Sequence, residues 1–211
     1  LLALSYFFLI LDRNYKYFLL SIFFTLIVIS PYLIRNYNNY DTVTLTKSFG
    51  YNLLKGNNPS LIVEGNSEFI DKKYDRKSLK IETNYKYEII LDNFYKDEAF
   101  AYIKEDPSKY LKFYLTKIIA FLFFDKDSSY PHYFNFLHIF PKIIVSILCL
   151  IGAILALKKT GFFQFLSLYY FANIFLFSIF FILPRYSLIL LPIQLLLTLI
   201  ALNYLFRKFL N

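Results

Sequence analysis

A chain of 211 residues that is 57% hydrophobic and 22% aromatic carries too much apolar surface for a soluble domain of its size. Its net charge of +8 would point to nucleic acid, but residues 36–109 are balanced, with 11 basic and 12 acidic residues. The remainder holds 12 basic and 3 acidic residues, and such residues beside hydrophobic runs set membrane orientation and meet lipid phosphates. A soluble fold and a nucleic-acid partner are excluded, and membrane lipid is the predicted partner.

Several hydrophobic runs approach the length that crosses a bilayer, whose core of about 30 Å needs roughly 20 apolar residues as helix. In chain order these runs are Leu1–Leu11, Tyr17–Ile34, Pro141–Leu157, Phe162–Leu183 and Ser187–Phe206. The first is too short to cross alone, and the chain contains no methionine. We therefore predict a truncated first span and a piece of a longer protein.

The polar stretch at 36–106 is predicted to form a small mixed α/β segment outside the membrane. Thr42–Thr46 favours a strand, Gly50 and Gly56 favour turns, and residues 85–105 favour an amphipathic helix. Its predicted apolar face consists of Ile90, Leu91, Phe94, Ala101 and Tyr102. The fold class is then an all-α polytopic membrane protein carrying this mixed segment.

Residues 107–124 are predicted to form a helix that does not cross the membrane. Asp106 followed by Pro107 is typical of a helix start, with an N-cap and a proline at the first helical position. Lys109, Lys112 and Lys117 make this helix basic and amphipathic, which favours a place at the membrane interface.

The short basic loops predict the topology. Pairs of basic residues occur at 13 and 16, at 158 and 159, and at 207 and 208, and the positive-inside rule puts all of them on the cytoplasmic side. Residues 36–136 are then extracytoplasmic. The predicted organisation is a membrane hairpin (1–35), an extracytoplasmic segment (36–106), an interfacial helix (107–124) and three transmembrane helices (134–211).

A group of short motifs follows the second span. Pro31 to Tyr37 reads Pro-Tyr-Leu-Ile-Arg-Asn-Tyr, and Gly50-Tyr51-Asn52-Leu53 and Gly56-Asn57-Asn58-Pro59 come after a short gap. Taken physically, they end a span and build tight turns outside the membrane. In this order they resemble the C-terminal half of bacterial GT-C membrane glycosyltransferases, the family of protein O-mannosyltransferase-like and aminoarabinose-transferase-like enzymes.

The resemblance implies transfer of a sugar from a polyprenyl-phosphate donor to an acceptor at the outer face of the bacterial cytoplasmic membrane. It also places the catalytic carboxylate in an earlier loop, so no catalytic residue is assigned here and the chain is expected to be inactive alone. The lipid-linked donor is a substrate, no cofactor is predicted, and the need for a divalent metal stays open. His132 and His138 lack neighbouring ligands, so no metal site is predicted.

Three basic residues are candidates for the donor phosphate. Arg185 follows the longest uncharged run, where a guanidinium can hold a phosphate through two parallel hydrogen bonds or simply anchor to lipid headgroups. Lys142 and Arg35 are further candidates, each with the same alternative of a headgroup anchor. Asn52, Gly56, Asn57, Asn58 and Pro59 form the extracytoplasmic motif.

Two other classes of function remain as alternatives: a transporter subunit and a membrane-anchored sensor or scaffold. Transporters place ionisable groups near the middle of the bilayer, yet Phe162–Leu183 offers only Gln164 and Asn173 as strongly polar side chains. A sensor would need an independent polar domain, but residues 57–83 contribute little apolar core. The glycosyltransferase is therefore the leading hypothesis.

Overall fold

The structure is a computed structural model that describes residues 15–74, 84, 86–159 and 161–210. All the regular elements in these ranges are helices. They are α1 (Tyr15–Tyr40), α2 (Phe49–Gly56), α3 (Ser67–Lys73), α4 (Tyr87–Glu105), α5 (Pro107–Leu122), α6 (Phe136–Leu157), α7 (Phe162–Ile179), α8 (Tyr186–Ile189) and α9 (Leu191–Leu210).

Three of the described helices, α1, α6 and α7, are long and apolar enough to span a membrane. They correspond to the predicted runs 17–34, 141–157 and 162–183, which confirms the chain as a helical protein with candidate spans. The predicted span 187–206 differs, because it divides at Leu190 into α8 and α9, and neither is among those three. The predicted span 1–11 lies outside the described residues.

The predicted mixed α/β segment is wrong, since the described part of residues 36–106 contains helices and no strand. In the predicted strand 42–46 two threonines form local hydrogen bonds. The Thr44 hydroxyl donates to the Thr46 carbonyl and accepts a hydrogen bond from the Thr46 backbone amide. Asn36 on α1 also donates to the Thr44 carbonyl at 2.7 Å. Local side-chain bonds of this kind compete with the backbone hydrogen bonds of a strand pair, and the described residues include no strand with which 42–46 could pair.

The helices α2, α3 and α4 form a unit that we call the polar module. Their shared core contains Leu53, Leu54, Ile70, Tyr74, Leu91, Tyr95 and Ala99. The buried face of α4 is therefore Leu91, Tyr95 and Ala99, whereas the predicted face included Ile90 and Ala101, which are exposed. The helix was predicted correctly, but a different set of its residues is buried, because α2 and α3 pack against it.

Helix α5 begins as predicted, with the Asp106 carboxylate accepting from the Lys109 amide at 3.0 Å and Pro107 in the first turn. Its basic face was predicted wrongly at one position, because Lys117 is fully buried together with Tyr110, Phe113, Ala120 and Phe121. The Tyr114 hydroxyl on the same helix donates to the Phe175 carbonyl at 3.0 Å. Helix α5 thus packs against α7.

Helices α6, α7 and α9 form a bundle in which α6 and α9 approach closely at Gly152. A Cβ atom at this position would lie 1.8 Å from the Leu197 carbonyl oxygen, so the backbones of α6 and α9 touch there. Ala153 and Ala156 are fully buried beside it, and the Ser167 hydroxyl on α7 donates to the Ala153 carbonyl at 2.9 Å. Small residues at such contacts let membrane helices approach closely.

We expect Gly152→Ala to lower the thermal stability of the bundle, because one methyl group cannot fit without separating α6 from α9. Overpacking of this kind costs about 1–3 kcal/mol. The control is Ile154→Ala, which changes an exposed side chain on the same helix. Thermal unfolding in detergent measures both variants, and equal melting temperatures for Gly152→Ala and the parent would contradict the contact.

Candidate functional site

The most unusual feature of the structure is the ammonium group of Lys117, which is inaccessible to solvent. It donates to the Phe180 carbonyl at 2.7 Å, to the Gly56 carbonyl at 3.1 Å and to the Asn57 side-chain oxygen at 3.1 Å. The Ile179 carbonyl lies at 3.4 Å. A buried charge is costly unless it is surrounded by acceptors, and here four oxygens surround it.

Two helix ends supply these oxygens. Gly56 ends α2, and Ile179 and Phe180 lie at the end of α7, so both helices direct carbonyl groups that lack helical partners at one cation. The negative end of each helix dipole also favours a positive charge there. Lys117 therefore joins the polar module to the membrane bundle.

The pKa of Lys117 is set by its burial. Burial lowers this pKa from 10.5 to about 7, because the ammonium form loses its hydration. The lysine therefore changes charge near neutral pH.

The first two residues of the motif Gly56-Asn57-Asn58-Pro59 contact this lysine. A Cβ atom at Gly56 would lie 2.2 Å from the Phe180 carbonyl carbon, so the loop lies directly on the end of α7. The side-chain amide of Asn57 donates to the Ile179 carbonyl at 3.0 Å. The side chain of Asn58 is fully buried and forms hydrogen bonds with the backbone of Lys55 and Ile62. The Pro59 carbonyl accepts from Lys109 at 3.4 Å. These residues fix the loop.

Asn52 lies apart from that loop. It lines an open cavity of about 300 Å³ together with Thr46, Phe177, Phe180 and Tyr186. The cavity runs between the polar module and the ends of the membrane helices, so Asn52 faces a space that the other motif residues do not reach.

The three predicted phosphate ligands occupy different places. Lys142 is half-buried near the start of α6 and lines a cavity of about 10 Å³ with Asp125, Pro184 and Ser187. Arg185 lies between the last two of these residues and is exposed. Arg35 is exposed on α1, which packs little against the other helices, and it is not among the residues that line this cavity. Two residues close to Arg185 in the chain thus line the same cavity as Lys142, and Arg35 is separate.

One buried carboxylate, Asp125, lines this cavity, and a second, Glu64, bonds the loop that follows Asp125. Glu64 accepts from the Ser128 hydroxyl, from the Ser129 amide at 3.1 Å and from the Ser129 hydroxyl at 2.6 Å. Asp125, which is 8% exposed, accepts from the Asp127 amide at 3.1 Å and lines the cavity with Lys142. Burial raises the pKa of Asp125, and the negative charge of Glu64 acts in the same direction.

Sequence reasoning missed Glu64, Asp125 and Lys117 as members of a site. Ser128 and Glu64 are 64 positions apart, and the lysine and Gly56 are 61 apart, so only the fold brings them together. The one signal within the sequence was Lys117 itself, since a charged residue follows the apolar residues Tyr110, Phe113 and Tyr114 along the inward face of α5.

The fold defines a class of protein, that of helical chains in which a polar module packs on helices long and apolar enough to span a membrane. No family model, no curated protein and no solved structure matches this chain. The arrangement of the site itself must therefore support any proposal about function.

Proposed function

We propose that this chain is part of a membrane glycosyltransferase that takes a sugar from a polyprenyl-phosphate donor and holds the phosphate of that donor at the Lys142 and Arg185 rim. The observation that carries the proposal is the position of these two cations. Lys142 and the residues flanking Arg185 line one cavity at the ends of apolar helices, where a lipid-linked phosphate arrives from the bilayer.

The cations also suit the chemistry of the transfer. When the bond between the sugar and the phosphate breaks, negative charge accumulates on the leaving polyprenyl phosphate, and fixed positive groups stabilise it. The cavity holds about one water molecule, so the phosphate binds at its exposed rim. Arg185 makes the direct contact there, and Lys142 contributes its charge from below.

The buried acids support this assignment by holding the loop between α5 and α6. Glu64 holds Ser128 and Ser129, and Asp125 lies on the wall that Lys142 shares. The loop is thereby fixed beside the rim before any ligand arrives, which is what positioning of a phosphate requires.

The proposal includes a topology in which residues 36–136 face the outside of the cytoplasmic membrane. Single cysteines at Lys126 and Lys158 test it, since both positions are exposed and lie on opposite sides of α6 in this topology. We expect an impermeant maleimide to label Lys126→Cys in intact cells and Lys158→Cys only after lysis. The native Cys149 is fully buried and gives little background. Labelling of both positions in intact cells would refute the topology.

The function itself is tested in membranes of cells with and without the gene for this protein. We expect membranes that contain the protein to consume polyprenyl-phosphate mannose or aminoarabinose with release of polyprenyl phosphate. The negative control is a strain from which the gene is deleted. Equal consumption of every donor by both membranes would overturn the proposal.

A further inference from the structure

A second large cavity is lined by other residues than those of the phosphate rim. It has a volume of about 570 Å³ and opens between the end of α1, the loop before α2, and α4. Its walls carry four tyrosines, one lysine and two carboxylates: Tyr32, Tyr51, Tyr87, Tyr95, Lys47, Glu88 and Asp92. This volume lies in the range of small-molecule sites.

Several contacts fix the walls of this cavity. Lys47 donates to the Glu88 carboxylate at 2.8 Å and lies 3.5 Å from the centre of the Tyr40 ring. The Asp92 carboxylate accepts from the Tyr51 amide at 3.1 Å, and the Tyr51 and Tyr95 rings meet edge to face at 5.7 Å. One ion pair, one hydrogen bond and two ring contacts thus hold the walls of the cleft together.

We infer that this cleft binds a saccharide that carries no acidic groups. Pyranose rings have C–H faces that pack on aromatic rings and hydroxyl groups that bond carboxylates, and tyrosines supply both an apolar ring and a polar tip. Glu88 and Asp92 face one lysine, so an anionic ligand such as a phosphate or a uronic acid is disfavoured. The charged side chains of Lys47, Glu88 and Asp92 would lose hydration against a lipid chain, which disfavours such a ligand.

The inference goes beyond the proposed function and does not depend on it. The donor phosphate binds at a cationic rim, and this cleft is lined by different residues, none of which line the Lys142 cavity. In a glycosyltransferase the cleft would take the saccharide acceptor, and in any other protein it would still bind a saccharide. The two sites are tested with different probes.

Saturation-transfer NMR on the protein in nanodiscs tests the inference with mannotetraose and chitotetraose as probes. We expect saturation transfer to at least one of them, and none to tetragalacturonate or to an uncharged tetrapeptide. Tyr87→Ala and Tyr32→Ala each remove a ring from the wall and should weaken binding about threefold to tenfold. Tyr87→Phe keeps the ring and should bind nearly as the parent does.

The matched control is Tyr37→Ala, because Tyr37 is also exposed on α1 but does not line the cleft. If Tyr87→Ala does not fold, the Tyr32→Ala variant still tests the inference, because Tyr32 is exposed. Absence of transfer to both neutral probes would overturn the inference. Equal binding of the neutral saccharides by Tyr32→Ala and Tyr37→Ala would also overturn the inference. A preference for the tetrapeptide or for tetragalacturonate would overturn it as well.

Discussion

Lys117→Met is expected to lower the free energy of unfolding by about 2–4 kcal/mol, because it leaves the Phe180 and Gly56 carbonyls buried without a donor. Methionine has a similar length, so the packing of the side chain is largely kept. The change also removes the cost of burying a charge, which limits the loss. Chemical or thermal unfolding in detergent measures the effect.

Lys112→Met is the matched control for this variant. Lys112 lies on the same helix and is exposed, so its loss should change the stability by less than about 0.5 kcal/mol. If Lys117→Met is as stable as the control, the ammonium does not join the polar module to the membrane bundle.

The same lysine predicts a dependence of stability on pH. Its folded-state pKa of about 7 lies below the ordinary 10.5, so between these values the unfolded chain binds more protons. Stability should therefore rise with pH above about 7, with a slope approaching about 1.4 kcal/mol per pH unit. The rise should be absent in Lys117→Met, which isolates it from the titration of other groups.

Arg185→Ala is expected to weaken use of the polyprenyl-phosphate donor by about 10- to 150-fold, since a charge-assisted hydrogen bond contributes roughly 1.5–3 kcal/mol. Arg185→Lys should recover only part of the loss, because an ammonium keeps the charge but not the two parallel bonds. The measurement is transfer kinetics at varied donor concentration, with membrane insertion checked for each variant.

The control for this prediction is Arg35→Ala, which removes an exposed arginine from a helix that packs little on the rest. We expect it to leave donor use close to that of the parent. If Arg185→Ala inserts normally and uses the donor as well as the parent, Arg185 only anchors the chain to lipid headgroups.

Some local features were predictable from the sequence, although the turn predicted at Gly50 is wrong because this residue lies inside α2. Asp106 and Pro107 begin α5 as expected, since a cap depends on the next three residues only. The runs at α1, α6 and α7 follow from composition in the same way. The strand predicted at Thr42–Thr46 is wrong because β-branched residues favour a strand only where another strand can pair with them.

The site was not predictable in the same way, because its members come from distant parts of the chain. Lys117 was expected on a polar face, but the ends of α2 and α7 meet at this residue and offer it four oxygens. Nothing in the local sequence singles out Glu64, yet two serines of a distant loop bond it. Tertiary contacts of this kind leave no periodic pattern in the sequence.

The central claim is that a polyprenyl phosphate binds at the rim formed by Lys142 and Arg185. The most direct measurement is cross-linking of a photoreactive polyprenyl phosphate to the protein in nanodiscs, followed by mapping of the labelled peptides. We expect adducts in the loop after α5 and in residues 180–187, competed by unlabelled polyprenyl phosphate and reduced in Arg185→Ala. Adducts that lie elsewhere, or that polyprenyl phosphate does not compete, would contradict the claim.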